Sequence, residues 1–500
     1  MPFAAVPRAA LALSSLLALA ACAPLPTRPL DAQSIQAQVR ADAEAARRDV
    51  PPLSGPLTLD EAIARALKYN LDRRARQMEE AFALRQFQEV GYDRLPKLLA
   101  NAGYTSRDQD RTARSTDSVT GLPSLANPSI SQDRNHATAS LTLSWSLLDY
   151  GLAQYNADQA SDRLHAAAER RRKATHLLVQ DVRVAWWRAA SAQRLHGEVV
   201  DAMRLADDAL ADARQAENEK LRSPLDSLRY QRQLTENLRL LESIQNELAT
   251  ARFELAALIN TPVVQSLALD TDEQPGMGEF LGQSAQALEE MALAQNADLR
   301  EQLYLRRIAA TEARKVVARA YPNLTLSLGV QHDTDSYLIH PTWAEAGLQL
   351  GMNLLNLLAL PAQQATAQAS VDVADQRRLA AHVAVIAQVH VAREQLGGAQ
   401  RQFERADTLW QLDSRLAELT AKREQAAAGS KLDRVAAQTT AIVSLLRRYQ
   451  AMAQWHAAAS RLQATLGVDP LPQSSDDLTL DALRAEVRQR LLKPGAKAAP

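Results

Sequence analysis

Three hydrophobic patterns follow one another along this chain, and each predicts a different element. From residue 57 to about residue 93 the spacing is helical, opened by Thr58-Leu59-Asp60-Glu61 with acids in the first turn. After Pro96 apolar and polar residues alternate, which is typical of a β-strand with two unlike faces. Between Gly151 and Pro224 only Gly197 interrupts a tract without Gly or Pro, and the tract predicts a helix about 105 Å long.

Four segments show the alternating pattern, and all four keep the same parity. Their apolar positions are Leu98, Ala100, Ala102 and Tyr104; Leu141, Leu143, Trp145 and Leu147; Leu324, Leu326, Leu328 and Val330; and Leu348, Leu350, Met352 and Leu354. One such strand would suit a soluble, half-buried sheet. Four strands with one apolar and one polar face are typical of a barrel between lipid and water, so we expect two membrane β-hairpins. A long polar connection (residues 106–136) joins the first pair and a short one (332–341) the second.

Each hairpin is followed by a helix that turns back on itself. After Pro224 a leucine recurs every seventh residue, with further apolar residues between them: Leu234, Leu241, Leu248 and Leu255, joined by Ile244, Ala251 and Leu258. This spacing predicts a coiled-coil seam. A second helical tract begins at Pro361, is expected to be interrupted at Gly397-Gly398, breaks at Gly429 and returns to Leu466.

The two halves of the chain are copies of each other. Asn70, Pro96 and Gly103 recur 226 residues later as Asn296, Pro322 and Gly329. Beyond the hairpin the spacing falls to 207, because the first copy has about 19 extra residues in one loop; Leu141, Val182 and Asp226 recur as Leu348, Val389 and Asp433. A long duplication of this kind implies two structurally equivalent halves.

The duplication sets the predicted domains. Residues 1–21 have the shape of a secretory signal, and Leu19-Ala20-Ala21-Cys22 resembles the bacterial lipobox, so Cys22 is the expected lipidation site. Residues 22–56 form a lipidated tether, 57–262 the first repeat, 263–280 a linker, 281–470 the second repeat and 471–500 a C-terminal segment and tail. Ala23 after the cysteine, in place of Asp, favours an outer-membrane anchor.

The amino-acid composition suits long helices and argues against several classes of function. Aromatic residues make up only 4% of the chain and Gly totals 17, which suits long helices. The net charge of −1 gives no basis for binding nucleic acid. The single cysteine excludes a disulfide framework within the chain and a cysteine-based zinc cluster.

No motif for catalysis or for a cofactor stands out. The glycine-rich phosphate-binding motifs are absent from the sequence, so we expect no nucleotide cofactor. His390 and Glu394 lie one helical turn apart and His382 eight residues before His390, but two ligands on a helix surface do not make a metal site. The expectation is a protein that is not an enzyme and that holds no metal.

With these residues in view, the chain resembles the TolC-like outer-membrane efflux proteins over nearly its whole mature length. The matching segments, in chain order, are Leu57-Thr58-Leu59-Asp60-Glu61-Ala62, Leu95-Pro96, Leu147-Leu148-Asp149-Tyr150-Gly151, Ser223-Pro224-Leu225-Asp226, Tyr321-Pro322 and Gly429-Ser430-Lys431-Leu432-Asp433.

The resemblance implies a mainly α fold with a membrane β-barrel. Each repeat would be a β-hairpin on a long coiled-coil helical hairpin, and a homotrimer would close a 12-stranded barrel that continues as an α-helical tube. It also implies a channel of a tripartite multidrug efflux pump, working with a periplasmic adaptor protein and an inner-membrane transporter.

The resemblance further implies a gate at the helical tips, with Asp433 and Asp226 as the candidate residues. The chain departs from the family pattern where Ala436-Ala437 replace a second acid, and at Asn356, where the first copy has Asp149. Asp433 therefore remains open between a gate residue and an exposed carboxylate. Two other functions stay open: a type I protein secretion duct, and a lipid-anchored periplasmic scaffold without a pore.

Overall fold

The computed structural model describes residues 29–124, 127–219, 223–262, 267–270, 282–426, 428–470 and 477–492. The predicted signal, Cys22 and most of the linker lie outside them. The chain divides into two units, residues 1–51 and 52–500. The first unit contains helix α1 (Ala32–Arg47), whose N-cap Asp31 accepts a hydrogen bond from the backbone N–H of Ser34 at 3.0 Å.

The second unit contains the two repeats in the predicted order. The elements of the first repeat are α2 (Leu59–Tyr69), α3 (Leu71–Val90), a 3-10 turn (Gly91–Arg94), β1 (Lys97–Ser106), β2 (Thr112–Ala113), β3 (Ser129–Ile130), β4 (Asn135–Ser146), α4 (Leu147–Asn218) and α5 (Pro224–Leu258). Those of the second are α6 (Ala285–Gln295), α7 (Ala297–Ala318), β5 (Asn323–Asp333), β6 (Thr342–Gly351), α8 (Asn356–Gln425) and α9 (Lys431–Leu466), followed by α10 (Leu480–Leu492). Two tandem repeats of a β-hairpin and a long helical hairpin are thus confirmed.

The helix predicted from residue 57 to residue 93 is two helices, because Asn70 ends α2 and begins α3. Its side chain accepts a hydrogen bond from the N–H of Arg73 at 3.0 Å and donates one to the carbonyl of Leu258 at 3.1 Å. Asn296, its counterpart in the second repeat, does the same between α6 and α7 with Leu299 and Thr465. The break is stable because the side chain of Asn70 caps the start of α3 while its backbone N–H bonds to the carbonyl of Ala66 at the end of α2, at 2.9 Å.

The strands also differ from the prediction at their ends. β4 begins at Asn135 and stops at Ser146, since the Ser146 hydroxyl accepts a hydrogen bond from the N–H of Asp149 and starts α4 at Leu147. β6 stops at Gly351, so Met352 and Leu354 continue the alternation beyond the strand. The four long strands form one antiparallel sheet in the order β1-β4-β5-β6, and β2 with β3 form a separate two-stranded ribbon.

The long helices are continuous, and their cores are the predicted seams. α4 has 72 residues, or about 108 Å at 1.5 Å per residue, and Gly197 lies within it. Leu234, Leu241 and Leu255 are completely buried in α5. The interruption predicted at Gly397-Gly398 is wrong: α8 runs through both glycines, because Leu396 and Ala399 on either side are buried against α9 and α6.

The two repeats meet along α4. Between α4 and α7, Arg170 pairs with Glu301 at 2.6 Å and Lys173 with Asp298 at 2.7 Å. Burial raises the pKa of the Asp469 carboxyl, but the hydrogen bond from His176 and the charge of Arg172 outweigh it and lower that pKa. Ion pairs therefore join the two repeats along residues 170–176 of α4.

No helix in the described part of the chain combines the length and the hydropathy that crossing a membrane requires.

Candidate functional site

The sheet has one apolar and one polar face, as the alternation predicted. In the register of the sheet Leu141 lies opposite Ala100 on one side and Val330 on the other, and Leu326 lies opposite Trp145 and Leu348. The apolar positions of all four strands therefore share one face.

This apolar face is exposed in the single chain. Leu348 and Leu350 are each 70% exposed, and Leu98 is 63% exposed. The opposite face carries small and polar residues such as Thr142, Ser144 and Ser327. Contiguous exposed apolar surface of this kind marks a contact with lipid or with another protein.

Both edges of the sheet are open in the single chain. β1 pairs only with β4 and β6 only with β5, so each outer strand has one side without a strand partner among the described residues. Unpaired strand edges are ready to accept another chain.

The two connections at the far end of the sheet are tied to each other. The Asp133 carboxylate accepts hydrogen bonds from the N–H and the hydroxyl of Ser336, at 2.5 and 2.9 Å, and these bonds lower the pKa of Asp133. Within the longer connection Arg134 forms a two-pronged ion pair with Asp110, at 2.5 and 2.7 Å. The sequence showed the polarity of these connections but not their pairing.

At the opposite end of the helical hairpins lie the two predicted gate residues. Asp226 and Asp433 each occupy the first turn of a returning helix, α5 and α9, and both are exposed. The Ser430 hydroxyl accepts a hydrogen bond from the N–H of Asp433 at 3.1 Å. The structure thus places both acids just past the turns as predicted, with both carboxylates exposed.

Ion pairs surround these tips. Lys431 at the start of α9 pairs with Asp212 near the end of α4, and so joins the second helical hairpin to the first. Arg434 pairs with Glu424 across the tip of the second hairpin at 3.1 Å. Neither ion pair was predicted from the sequence, because the two residues of each pair lie on different helices.

A buried cation that the sequence reading also missed lies at the contact of α4 with α9. Arg183 is only 1% exposed; its guanidinium donates to the hydroxyl of Ser460, and burial lowers its pKa to about 10. His456 is 1% exposed beside it, and burial followed by the charge of Arg183 lowers the pKa of His456 well below 6.5.

The histidine and acid pairs offer no metal centre among the residues that the structure describes. His390 contacts Glu289 at 2.9 Å rather than Glu394. No group of three or more His, Cys, Asp or Glu side chains there is arranged to hold a metal ion.

Comparison by sequence finds neither a matching family model nor a matching curated protein. Comparison by structure finds outer-membrane channels. The outer-membrane channel OprN is 16% identical, with a TM-score of 0.63, covering 82% of this chain and 89% of that one. The Campylobacter jejuni CmeC outer-membrane channel is 13% identical, with a TM-score of 0.63, covering 86% and 89%.

A third structure gives the same result. The outer-membrane protein VceC from Vibrio cholerae is 15% identical, with a TM-score of 0.60, covering 82% of this chain and 96% of its own. At these identities the likeness shows the fold. The fold of the single chain implied by the resemblance to the TolC-like outer-membrane efflux proteins, long helical hairpins with a small sheet, is therefore confirmed.

Proposed function

We propose that this chain, which has the fold of known outer-membrane channels, is the exit duct of a tripartite efflux system. The single observation that carries the proposal is the sheet: four strands in one register present an exposed apolar face and a polar face. A lipid-facing surface backed by a water-facing one is what a pore in a bilayer requires. A scaffold without a pore has no use for such a sheet.

The proposed assembly is a homotrimer. Four strands are too few to close a barrel, and open edges are not tolerated in lipid. Three copies supply twelve strands, an even number that can close when β6 of one copy pairs with β1 of the next. The helical hairpins then continue as a tube into the periplasm, with the tips at its lower end.

The duct is proposed to be passive. The sequence contains no nucleotide-binding motif, and we propose that partners supply the energy for export. The partners proposed are a periplasmic adaptor protein and an inner-membrane transporter, and the cargo is small molecules such as drugs. Several of the solved structures with this fold are outer-membrane channels, which supports a channel role for this chain. Export of proteins by a type I secretion system is the second candidate.

Conductance tests the proposal. The purified full-length protein, added to a planar lipid bilayer, should give discrete conductance steps, because the polar strand faces enclose water. A variant with two directly opposite lipid-side positions changed, Leu141→Arg with Val330→Arg, is the matched control and should not insert. Absence of steps from a trimeric preparation would favour the scaffold.

The lipid anchor remains part of the proposal, supported by the lipobox-like sequence around Cys22. A diacylglyceryl group brings two acyl chains, which suffice for stable attachment. Intact-mass measurement of the mature chain should show a lipidated Cys22, and Cys22→Ser should remove the added mass. An unmodified mature cysteine would refute this part alone.

A further inference from the structure

A row of leucines on the lower half of α8 has no partner in the single chain. Leu409, Leu412, Leu416 and Leu419 follow the three-four spacing of a coiled-coil seam and are 54%, 56%, 57% and 50% exposed. We call these four residues the α8 seam. The other side of α8 is already occupied by its own hairpin partner α9, where Asp407 pairs with Arg448 at 2.5 Å and Arg448 lies over Trp410.

The internal duplication shows what covers this position in the first repeat. The residues 207 positions earlier on α4 are Ala202, Leu205, Ala209 and Asp212. These residues face α9 of the second repeat: Ala209 packs in one buried cluster with Val435, Leu205 and Leu432 lie against that cluster, and Asp212 pairs with Lys431. The first repeat therefore has a covered seam where the second repeat has an open one.

The same shift identifies the missing partner. The counterparts of Leu432 and Val435, 207 residues earlier, are Leu225 and Leu228 at the start of α5, and these are 57% and 56% exposed. Within one chain α5 is packed against α4 on its other side. Two complementary apolar surfaces are thus left open on the same molecule, on opposite sides of the pair of hairpins.

We infer that α5 of a second copy covers the α8 seam in the register of the internal contact, with Leu416 against Leu228 and Leu419 against Leu225. The register follows from the internal contact, where the ion pair joins Asp212 to Lys431 and the buried cluster next to it contains Ala209 and Val435. The inference rests on the proposed homotrimer and goes beyond it by giving the contact residues and their chemistry.

The two kinds of seam differ in chemistry. Inside one chain the contact nearest the tip is the ion pair between Lys431 and Asp212, an exposed pair that salt weakens. Between copies, Leu419 takes the position of Asp212, and Pro224 takes the position of Lys431, with Leu225 beside it. The contact there is apolar, and salt does not weaken it.

Cysteine cross-linking tests the register in the full-length chain. Leu416→Cys combined with Leu228→Cys should give covalent dimers and trimers on oxidation, since a disulfide forms only when the two Cα atoms approach within about 7 Å. The single variants Leu416→Cys and Leu228→Cys measure any contribution from native Cys22. The pair Leu409→Cys with Leu228→Cys, displaced by two helical turns or about 10 Å, is the off-register control. The pair Ala209→Cys with Val435→Cys should close within one chain and remain monomeric.

The outcomes separate this inference from the proposed function. In one outcome, an amine-reactive reagent cross-links the wild-type protein to a trimer, but the 416/228 pair gives no more covalent oligomer than the single variants. This result overturns the register and leaves the proposed duct intact. Equal yields from the on-register and off-register pairs also overturn it. A wild-type protein that forms no oligomer in membranes removes both proposals.

Discussion

His456 and Arg183 are two polar side chains buried in an apolar core, and His456 makes the stability of the fold depend on pH. His456 lies against Trp187 and next to Arg183, which is itself buried without an acidic partner among the described residues. Toward the end of the repeat the spacing is 208, since Leu258 recurs as Leu466, and at that spacing His456 corresponds to the apolar residue Leu248. Below about pH 6.5, a histidine that burial keeps neutral gains a proton when the chain unfolds.

We expect His456→Leu to flatten the acid side of the stability profile. The folded pKa of His456 is lowered well below 6.5, so as the pH falls below 6.5 the unfolded state binds the proton first. Stability is then lost by up to about 1.4 kcal/mol per pH unit, and the substitution removes this contribution. Thermal unfolding followed by circular dichroism at about pH 7.5 and about pH 5.5 measures it. The exposed His196→Leu is the control; an unchanged acid slope in His456→Leu would contradict the explanation.

Asp433 is the residue on which the gate hypothesis depends. In a trimer three copies of Asp433 would surround one axis, and a ring of carboxylates in a narrow pore attracts cations. We expect Asp433→Ala to reduce cation preference and block by multivalent cations, with Asp226→Ala having the smaller effect. The helix cap survives because it uses the backbone N–H of Asp433. Single-channel recordings in asymmetric salt decide: an unchanged reversal potential and unchanged block remove Asp433 from the gate.

At the scale of elements, the sequence predicted what depends on local periodicity. The strand parity and the leucine seam of α5 are confirmed, because each is set by burial along one face of one element. The break at Asn70 and the continuity through Gly397-Gly398 were missed, because distant partners decide them. Asn70 is held by Leu258 from another helix, and packing of Leu396 offsets the cost of glycine in α8, about 1 kcal/mol per residue.

Among the candidate site residues, too, local sequence patterns predicted some positions and missed the contacts between distant helices. The positions of Asp226 and Asp433 followed from the turn-forming residues before them. The pairs of Lys431 with Asp212 and of Arg183 with Ser460 join helices far apart in the sequence, so no local pattern reveals them.

The double role of Asn70 gives a prediction for the junction of α2 and α3. Asn70→Ala removes both the cap and the bond to Leu258, and we expect it to lower the free energy of unfolding by about 1–2 kcal/mol or more. Asn70→Ser retains a capping oxygen and loses only the bond to Leu258, so its cost should be smaller. Asn296→Ala should match Asn70→Ala, since the two junctions are equivalent. Denaturant unfolding measures all three; equal losses for Ser and Ala at position 70 would show that the cap contributes nothing.

At the scale of the whole molecule, the function depends on which face of the sheet meets lipid. Leu141 and Thr142 are neighbours in β4 that point to opposite faces. Leu141→Arg should cost about 2–4 kcal/mol if it lies at mid-membrane, whereas Thr142→Arg faces the water-filled side and should be tolerated. The measurement is the amount of heat-resistant trimer in outer-membrane fractions. Equal loss of trimer in the two variants would contradict the assignment of faces.

The open edges of β1 and β6 also bear on how the protein is made. Until copies meet, each newly made chain carries an apolar sheet face and two unpaired edges, the combination that promotes aggregation. Productive assembly and aggregation both begin with an encounter between chains, so they compete for the same surface. The yield of finished channels is therefore governed by the ratio of two association rates during biogenesis, and a shielding chaperone would act on that ratio rather than on folded stability.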